Sequence, residues 1–368
     1  MLRRTPFALP RAEQLPALVE IVAGDGAVAP DDPEAFVEAA ASHRVVGAAV
    51  TALTDGRLVL PPGPERTLRD AHAVGVLRSA LLRRELSAVA EPVARVSTGA
   101  PIVLKGPAIA DRFYRASGLR TFSDLDLLVA PERLPAASAA LSGLGYEELV
   151  ELREGFGASQ GHDVHMAREL GQGRVDVELH WRVGDDRLGE ALSHSSLAGR
   201  AVPAGQVAAA TYPSAPDQLL VCAMHLLSDR LKRLCWVEDM RRVATALDDS
   251  AWRESFERAR ELGLLWVLHR GLDYAQHHLG YVRDRPLPAG DPPQWGPLRA
   301  VEELDLGASL HLGRLAAMPW PQRPSYLRQV LIPSRRGLRG TVGGDGAGGM
   351  RLAARHLIRA VRGLRPRR

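Results

Sequence analysis

The stretch Arg120-Thr-Phe-Ser-Asp-Leu-Asp-Leu-Leu-Val129 decides how this chain is read. From Asp124 to Leu127 polar and apolar residues alternate, which is the period of a β-strand. Asp124 and Asp126 then share one face, and Leu125 and Leu127 the other. Residues two apart on a strand are separated by roughly 6.6 Å. Two carboxylates at that distance repel by about 2.5 kcal/mol at an effective dielectric of about 20. A divalent cation between them turns the repulsion into ligation, and hard oxygen donors suit Mg²⁺ or Mn²⁺. Arg120 is the one basic residue close to the pair along this stretch. A solvated strand end with two ordinary aspartates is the plain alternative, and the flanking sequence has to decide.

Upstream, Ile102-Val-Leu104 is an apolar run of strand type, followed at once by Lys105-Gly106-Pro107. Proline suits the first position of a helix, so Ala108 to Tyr114 reads as one. Lys105 and Gly106 thus sit at a strand-to-helix junction. Such junctions attract phosphate through bare backbone N–H groups, and glycine permits close approach of a ligand; a tight turn is the alternative. Downstream, residues 131–145 are mostly helical, and Tyr146 to Leu152 reads as a strand. A looser segment holds His162 and His165. Gly173 to Trp181 alternates again, with Val175, Val177 and Leu179 on one face and Asp176, Glu178 and His180 on the other. That acidic face belongs either to a site or to a half-exposed strand in water.

The remainder is largely helical. Residues 11–54 combine good helix formers with apolar residues at helical spacing, Leu60 to Pro64 reads as a loop, and residues 65–91 form an amphipathic helix with Leu77, Leu81, Leu82 and Leu86 on its apolar side. His43 and His72 read as structural histidines. Residues 217–285 lack proline, and His225, Asp229, Lys232, Trp236 and Asp239 fall on one stripe of a single helix. Asp248-Asp249-Ser250 offers a cap to the next helix, with Trp252, Phe256 and Leu262 on its core side. Pro286 to Pro297 is a proline-rich connection, and Val301 to Ala317 looks helical. Residues 340–349 contain six glycines and read as a flexible linker to a basic amphipathic tail, Arg351 to Arg368.

Composition narrows the function classes. The net charge is +4, but residues 351–368 contribute seven arginines and no acid, so the rest of the chain carries −3. That balance disfavours a broad nucleic-acid-binding surface or a general polymerising role. No apolar run approaches the roughly 20 residues of a membrane span. The first ten residues, broken by Pro6 and Pro10, do not read as a signal peptide. Two cysteines, Cys222 and Cys235, imply no disulfide framework, and a cytoplasmic location is expected. No Gly-x-x-x-x-Gly-Lys-Ser/Thr occurs, which disfavours P-loop kinases and ATPases.

Taken in order, these pieces resemble the nucleotidyltransferase superfamily: a glycine turn before a helix, an Asp-x-Asp strand, and a third acid on a later strand. The wording is closer still to one poorly characterised bacterial nucleotidyltransferase family. The residues carrying the likeness are Leu104-Lys105-Gly106, Tyr114, Arg120, Asp124-Leu-Asp-Leu-Leu-Val129 and Glu178-Leu-His-Trp181. A His…Trp…Asp helix and Arg328-Gln-Val-Leu-Ile-Pro-Ser334 extend it over roughly residues 35–340. One departure is Pro107, where the wider superfamily has a second glycine or a serine.

The resemblance implies an α+β fold, with a small mixed β-sheet nucleotidyltransferase core flanked by helical regions. The expected division is an N-terminal helical region (1–98), the core (99–190), a C-terminal helical region (205–339), and linker and tail (340–368). It further implies metal-assisted transfer of a nucleoside monophosphate from a nucleoside triphosphate. Asp124, Asp126 and Glu178 would hold Mg²⁺ or Mn²⁺. Lys105 and Gly106 would meet the triphosphate, and Arg120 would do the same or fix a metal-site acid. Strand period alone does not choose between Asp176 and Glu178; the Leu-His-Trp that follows favours Glu178 by likeness. The acceptor, whether small molecule, peptide or protein, is not named by any feature; separately, the charge of the basic tail suits docking to an acidic partner, an anionic membrane or nucleic acid, with simple fraying as the plain alternative. The alternatives are a metal-dependent glycosyltransferase using Asp-x-Asp, which normally follows a nucleotide-binding βαβ region, and a non-catalytic nucleotide-binding module.

Overall fold

The computed structural model describes residues 15–280, apart from Asp25, Thr98, Ser117, 150–162, Gln172, 185–186, Gln206 and 229–232. The expectations for His162, Asp229, Lys232, the segment 286–334, the glycine-rich linker and the basic tail lie outside the described residues.

Four helices come first: α1 (Leu15–Ala23), α2 (Pro33–Ser42), α3 (Val46–Thr54) and α4 (Pro62–Val96). Pro33 opens α2, and Asp32 caps it by accepting the Ala35 N–H. The expected loop at Leu60 to Pro64 is shorter, because Pro62 and Pro64 sit in the first turn of α4, where no intrahelical N–H is required. The 35-residue α4 contributes Leu82, Leu86, Val89, Ala90 and Val93 to the core. Leu77, expected on the same face, is 71% exposed, although Leu68 before it and Leu82 after it are fully buried.

One seven-stranded mixed sheet follows, built from β1 (Ile102–Val103), β2 (Leu125–Leu128), β3 (Glu147–Glu148), β4 (Asp163–Leu170), β5 (Gly173–His180), β6 (Val202–Ala204) and β7 (Val207–Tyr212). Its order is β3-β4-β5-β2-β1-β7-β6. Strand β2 runs parallel to β5 and antiparallel to β1, and β1 runs parallel to β7. Helix α5 (Pro107–Phe113) follows β1, and α6 (Leu134–Gly143) follows β2. Two short helices, α7 (Arg187–Ala191) and α8 (His194–Ala198), precede β6, and α9 (Ala215–Ser228), α10 (Leu234–Ala246), α11 (Asp249–Glu261) and α12 (Leu265–Leu279) close the described chain. The fold is α+β, with helices flanking a mixed sheet, as the sequence leads one to expect.

The alternation read from the sequence is realised. Val103, Leu125, Leu127, Val175, Val177 and Leu179 form a core with α4 and α6 on one face of the sheet. Ile102, Leu104 and Leu128 join a second core with α1–α3 and α9–α12 on the other. Asp126, Glu178 and His180 belong to that second side. Asp248 caps α11 by accepting the Ala251 N–H at 2.8 Å, and Trp252 and Phe256 are buried.

Two further readings are corrected, and two strands appear that the sequence reading did not expect. The segment around His165 is not loose: β4 pairs along its full length with β5. Its pattern, Asp-Val-His-Met-Ala-Arg-Glu-Leu, alternates poorly, and the long antiparallel neighbour supplies what local pattern lacks. Strands β6 and β7 have no counterpart among the expectations, because Ala208 to Ala210 has weak strand preference and Pro203 fits a strand only at an edge, where β6 lies. The stripe from His225 to Asp239 is not one helix either, since α9 ends at Ser228 and α10 begins at Leu234.

Candidate active site

Strand pairing builds the site. Asp126 stands opposite Glu178 and Leu128 opposite His180 in the parallel register of β2 and β5, so the acids and the histidine project from one face. Asp124 immediately precedes β2. On the other side of β5, Asp163 pairs with His180 and His165 with Glu178. Where the chain leaves β1, the Leu104 N–H donates to Asp126 O at 3.0 Å, and the Lys105 Nζ comes to 2.7 Å from Asp126 Oδ1. His180 Nε2–H donates to the same oxygen at 3.0 Å and lies 3.3 Å from Glu178 Oε2. His165 bridges outward, with Nε2 at 2.8 Å from Asp163 Oδ2 and Nδ1 at 3.5 Å from Glu178 Oε1.

The approach to Asp124 is clamped from several directions. The Phe122 N–H donates to the buried Ser79 hydroxyl of α4 at 3.1 Å. Arg78, one residue earlier, donates to Ser123 O at 2.6 Å and to Asp176 Oδ2 at 3.3 Å. Arg174 also holds Asp176, so this acid is tied to α4 and its own strand, whereas Glu178 faces the cavity. The turn at Gly106 needs glycine, because its φ is +54° and an added Cβ would press on the Phe122 ring at 3.3 Å. Pro107 offers no N–H, and the Ala108 N–H is already given to Lys105 O. The turn therefore contributes shape and the Lys105 ammonium rather than a row of open N–H donors.

Arg120 is held elsewhere than on a metal-site acid. Its Nε and Nη2 form a double hydrogen bond with Asp239 of α10, at 2.8 Å each, and both side chains are buried. Tyr114 Oη donates to Asp239 Oδ1 at 2.7 Å, and the Arg242 guanidinium covers the Tyr114 ring at 4.5 Å. Three residues carrying the family likeness or the helical stripe thus meet, although 119 residues separate Arg120 from Asp239. His225 and Trp236 also meet, ring edge to ring face at 4.8 Å, despite lying on different helices.

These groups surround a cavity of about 300 Å³. Asp124, Asp126, Glu178, His180, Lys105 and Gly106 line one part. Val183, Gly184, Val221, His225, Arg233 and Trp236 line another, and Arg44 and Arg120 reach it from the helical side. Burial and repulsion from Asp126 raise the Asp124 carboxyl above its usual range. Burial acts the same way on Asp126, but Lys105 and the hydrogen bond from His180 overcome it and hold that carboxyl well below the usual range. His180, opposed by burial, is raised to about 9 by its hydrogen bonds to Asp126 and Glu178. Burial would lower the Lys105 ammonium, yet Asp126 and Glu178 raise it. Burial and then Lys105 push His225 well below its ordinary value, so it is neutral.

The donor set fits a hard divalent cation. Asp126, Glu178 and His180 have ligand atoms within 4.8 Å of one another, as do Asp163, His165 and Glu178; in the first group the acids supply the ligands, and His180 would join them only on giving up the proton it donates to Asp126. The Lys105 ammonium and the His180 imidazolium already place positive charge beside these carboxylates, which shows that the field there favours cations. All six residues expected at the site, Lys105, Gly106, Arg120, Asp124, Asp126 and Glu178, line the one cavity. Sequence reasoning missed Arg44, Asp163 and His165. Asp163-x-His165 has the same i, i+2 spacing as Asp124-x-Asp126, a signal obscured by the poor alternation around it.

A family model described as "uncharacterised nucleotidyltransferase" matches residues 29–280. No curated protein and no solved structure matches.

Proposed function

Because the chain belongs to this uncharacterised nucleotidyltransferase family, we propose that it moves a nucleoside monophosphate from a nucleoside triphosphate to an acceptor, with release of pyrophosphate. The observation carrying this reading is the Asp126–Glu178 register, which brings the acid of one strand beside that of the next, with Asp124 and Lys105 at the same cavity. In the reaction an acceptor oxygen bonds to the α-phosphorus, and the bond from that phosphorus to the oxygen bridging to the β-phosphate breaks. The departing oxygen keeps the electron pair, and the acceptor loses its proton.

Asp124, Asp126 and Glu178 would hold Mg²⁺ or Mn²⁺, and such a cation, when bound, lowers the pKa of an acceptor oxygen and offsets charge on the phosphates. The chain's own residues supply the rest. Lys105, on a rigid strand-to-helix turn, exchanges its contact with Asp126 for a phosphate oxygen. His180, charged and locked between Asp126 and Glu178, fixes the rotamers of both acids. Arg120 acts at one remove: by anchoring α10 through Asp239 it sets the wall that carries Trp236. Asp176, ion-paired with Arg78 and Arg174, would brace the strand rather than ligate the cation.

The test is a screen of the four nucleoside triphosphates with Mg²⁺, read by mass spectrometry for released pyrophosphate and for an adduct on candidate acceptors. Pyrophosphate release that requires Asp126 and Glu178 supports the reading. Release of a nucleoside diphosphate from a sugar nucleotide, with no pyrophosphate from any triphosphate, overturns it in favour of glycosyl transfer.

A further inference from the structure

Arg44 stands in the turn between α2 and α3 with φ = 55°, and among the described residues it is the one non-glycine in the left-handed region. Arginine is disfavoured there because its Cβ crowds the neighbouring carbonyl, whereas glycine and asparagine are accommodated. Something must hold the turn in that shape, and the contacts are specific. The Arg44 N–H donates to Ala41 O at 3.0 Å and the Val45 N–H to Ala40 O at 2.9 Å. Its neighbour His43 is fully buried; His43 Nδ1 accepts the Leu234 N–H at 3.2 Å, and His43 O accepts the Cys235 N–H at 3.2 Å. The turn is thereby fastened to the first residues of α10. Three residues on, Gly47 lies so close to Gly118 O that a Cβ would come within 2.5 Å of it. This contact presses α3 against the approach to Arg120.

The result is an arginine side chain lining the cavity beside the acids. The other cations there are engaged. Lys105 is on Asp126, Arg120 on Asp239, and Arg233 lies over the Trp236 ring at 5.0 Å. The Arg44 guanidinium makes no hydrogen bond or ion pair with a described residue. It does act on the site's field: burial and Asp126 raise the Asp124 carboxyl, and Arg44 is among the groups that pull it back down. A strained backbone that delivers an unengaged guanidinium to a cavity gives stability no return, which points to a ligand.

We propose that Arg44 is the triphosphate arm of the site, binding the β- and γ-phosphates and holding pyrophosphate as it departs. This rests on the nucleotidyl-transfer reading above. A guanidinium presents a planar fork of N–H donors that matches two phosphate oxygens, and it stays charged throughout. No proton leaves it in the reaction. It stabilises negative charge on the leaving oxygen while the acceptor's proton passes to solvent. His43 is a positioning residue in this scheme, because its two backbone-directed contacts set the angle of the turn.

The experiment is calorimetry of full-length protein in saturating Mg²⁺, titrated with inorganic pyrophosphate and with tripolyphosphate. The proteins compared are wild type, Arg44→Gly, Arg44→Asn and Arg44→Lys, each with its melting temperature. Arg44→Gly and Arg44→Asn should bind both anions at least about tenfold more weakly, as expected for losing charge-assisted hydrogen bonds. Their melting temperatures should equal or exceed that of wild type, because the left-handed strain is relieved. Arg44→Lys should fall between. Binding within about twofold of wild type in both neutral variants overturns the role of Arg44 while leaving nucleotidyl transfer intact. A wild type that binds neither anion nor any nucleoside triphosphate overturns both. Melting temperatures that fall in the Gly and Asn variants would show that Arg44 serves the fold instead.

Discussion

The Lys105 ammonium lies 2.7 Å from Asp126 Oδ1, in the ground a divalent cation would take. Lysine and cation therefore compete for one oxygen. In Lys105→Met the acid loses one of its two positive partners, and Mn²⁺ should bind several-fold more tightly than in wild type without nucleotide. The variant should also melt lower in chelator and recover when Mn²⁺ is added. Isothermal titration and melting curves read both effects. Mn²⁺ affinity unchanged by the substitution would show that the cation does not share Asp126 with Lys105.

Asp126→Asn should abolish most divalent-cation binding, because it removes the acid that both Lys105 and His180 address. Binding in wild type should tighten when a nucleoside triphosphate is present, since its phosphates add ligands. Equal metal affinity in wild type and variant removes this acid from the site.

Glu178→Gln should eliminate turnover, whereas Asp176→Asn should retain a measurable fraction of it. The two acids sit one pleat apart on the same strand face, but Glu178 lines the cavity and Asp176 is taken by Arg78 and Arg174. Asp176 is partly exposed, so its loss should cost about 1 kcal/mol or less in stability. Steady-state rates at saturating Mg²⁺, with both proteins verified as folded, decide the matter; a dead Asp176→Asn beside an active Glu178→Gln reverses the assignment.

Arg120→Met should destabilise the fold by about 3–5 kcal/mol, since it strands the buried Asp239 carboxylate with Tyr114 as its one side-chain donor among the described residues. Combining it with Asp239→Leu should restore much of that loss. Urea unfolding of the two single variants and the double variant gives the coupling. If the effects simply add, the double hydrogen bond is not what holds α10 in place.

The pH dependence of the metal-free protein should carry a signature of His180. Burial lowers its pKa, but hydrogen bonds to Asp126 and Glu178 raise it to about 9, above the ordinary value near 6.5. The folded state thus binds the proton more tightly than the unfolded chain. This contribution is fully present below about pH 6.5 and is lost as pH rises through about 9. The groups acting on the ring include the acids Asp126, Glu178 and Asp163, the histidines His165 and His225, and Lys105, which meets the same Asp126 oxygen. Melting temperature in chelator should fall across this window in wild type and fall less in His180→Gln. Parallel curves would assign the drop to another group.

Much of this site was legible because strand alternation and core burial are the same fact seen twice. Leu125 and Leu127 must face the α4–α6 core, so Asp126 must face away, and the same logic fixes Glu178 opposite Val177 and Leu179. Gly106 and Pro107 were legible as turn chemistry. Pairings across the chain were not: nothing local in Arg120 points to Asp239, and His225 meets Trp236 only because two helices fold back. Strand β7 was hidden by its alanines, which acquire strand geometry from β1 and β6 rather than from their own preference. Arg44 was invisible for a different reason, since its importance lies in a backbone angle that its residue type does not favour. Leu77 ran the other way: helical spacing placed it on an apolar stripe where the fold buries Leu82 and Leu86 while leaving Leu77 itself uncovered.

The parallel pairing of β1 with β7 also sets a timetable for synthesis. Ile102 meets Thr211, so more than a hundred residues must emerge from the ribosome before the short strand carrying Lys105 gains its second neighbour. Until then β1 is an open edge held on one side by β2, and the apolar partners of Ile102 and Leu104 in α9 do not yet exist. Non-local closure of this kind slows folding and exposes pairing groups to other chains. A nascent chain stalled between His180 and Tyr212 would hold both aspartates and Glu178 yet lack the strand that seals the sheet. It would be a client for chaperones before its acids could be closed into a site, and expression fragments ending in that interval should aggregate while those continuing past α12 remain in solution.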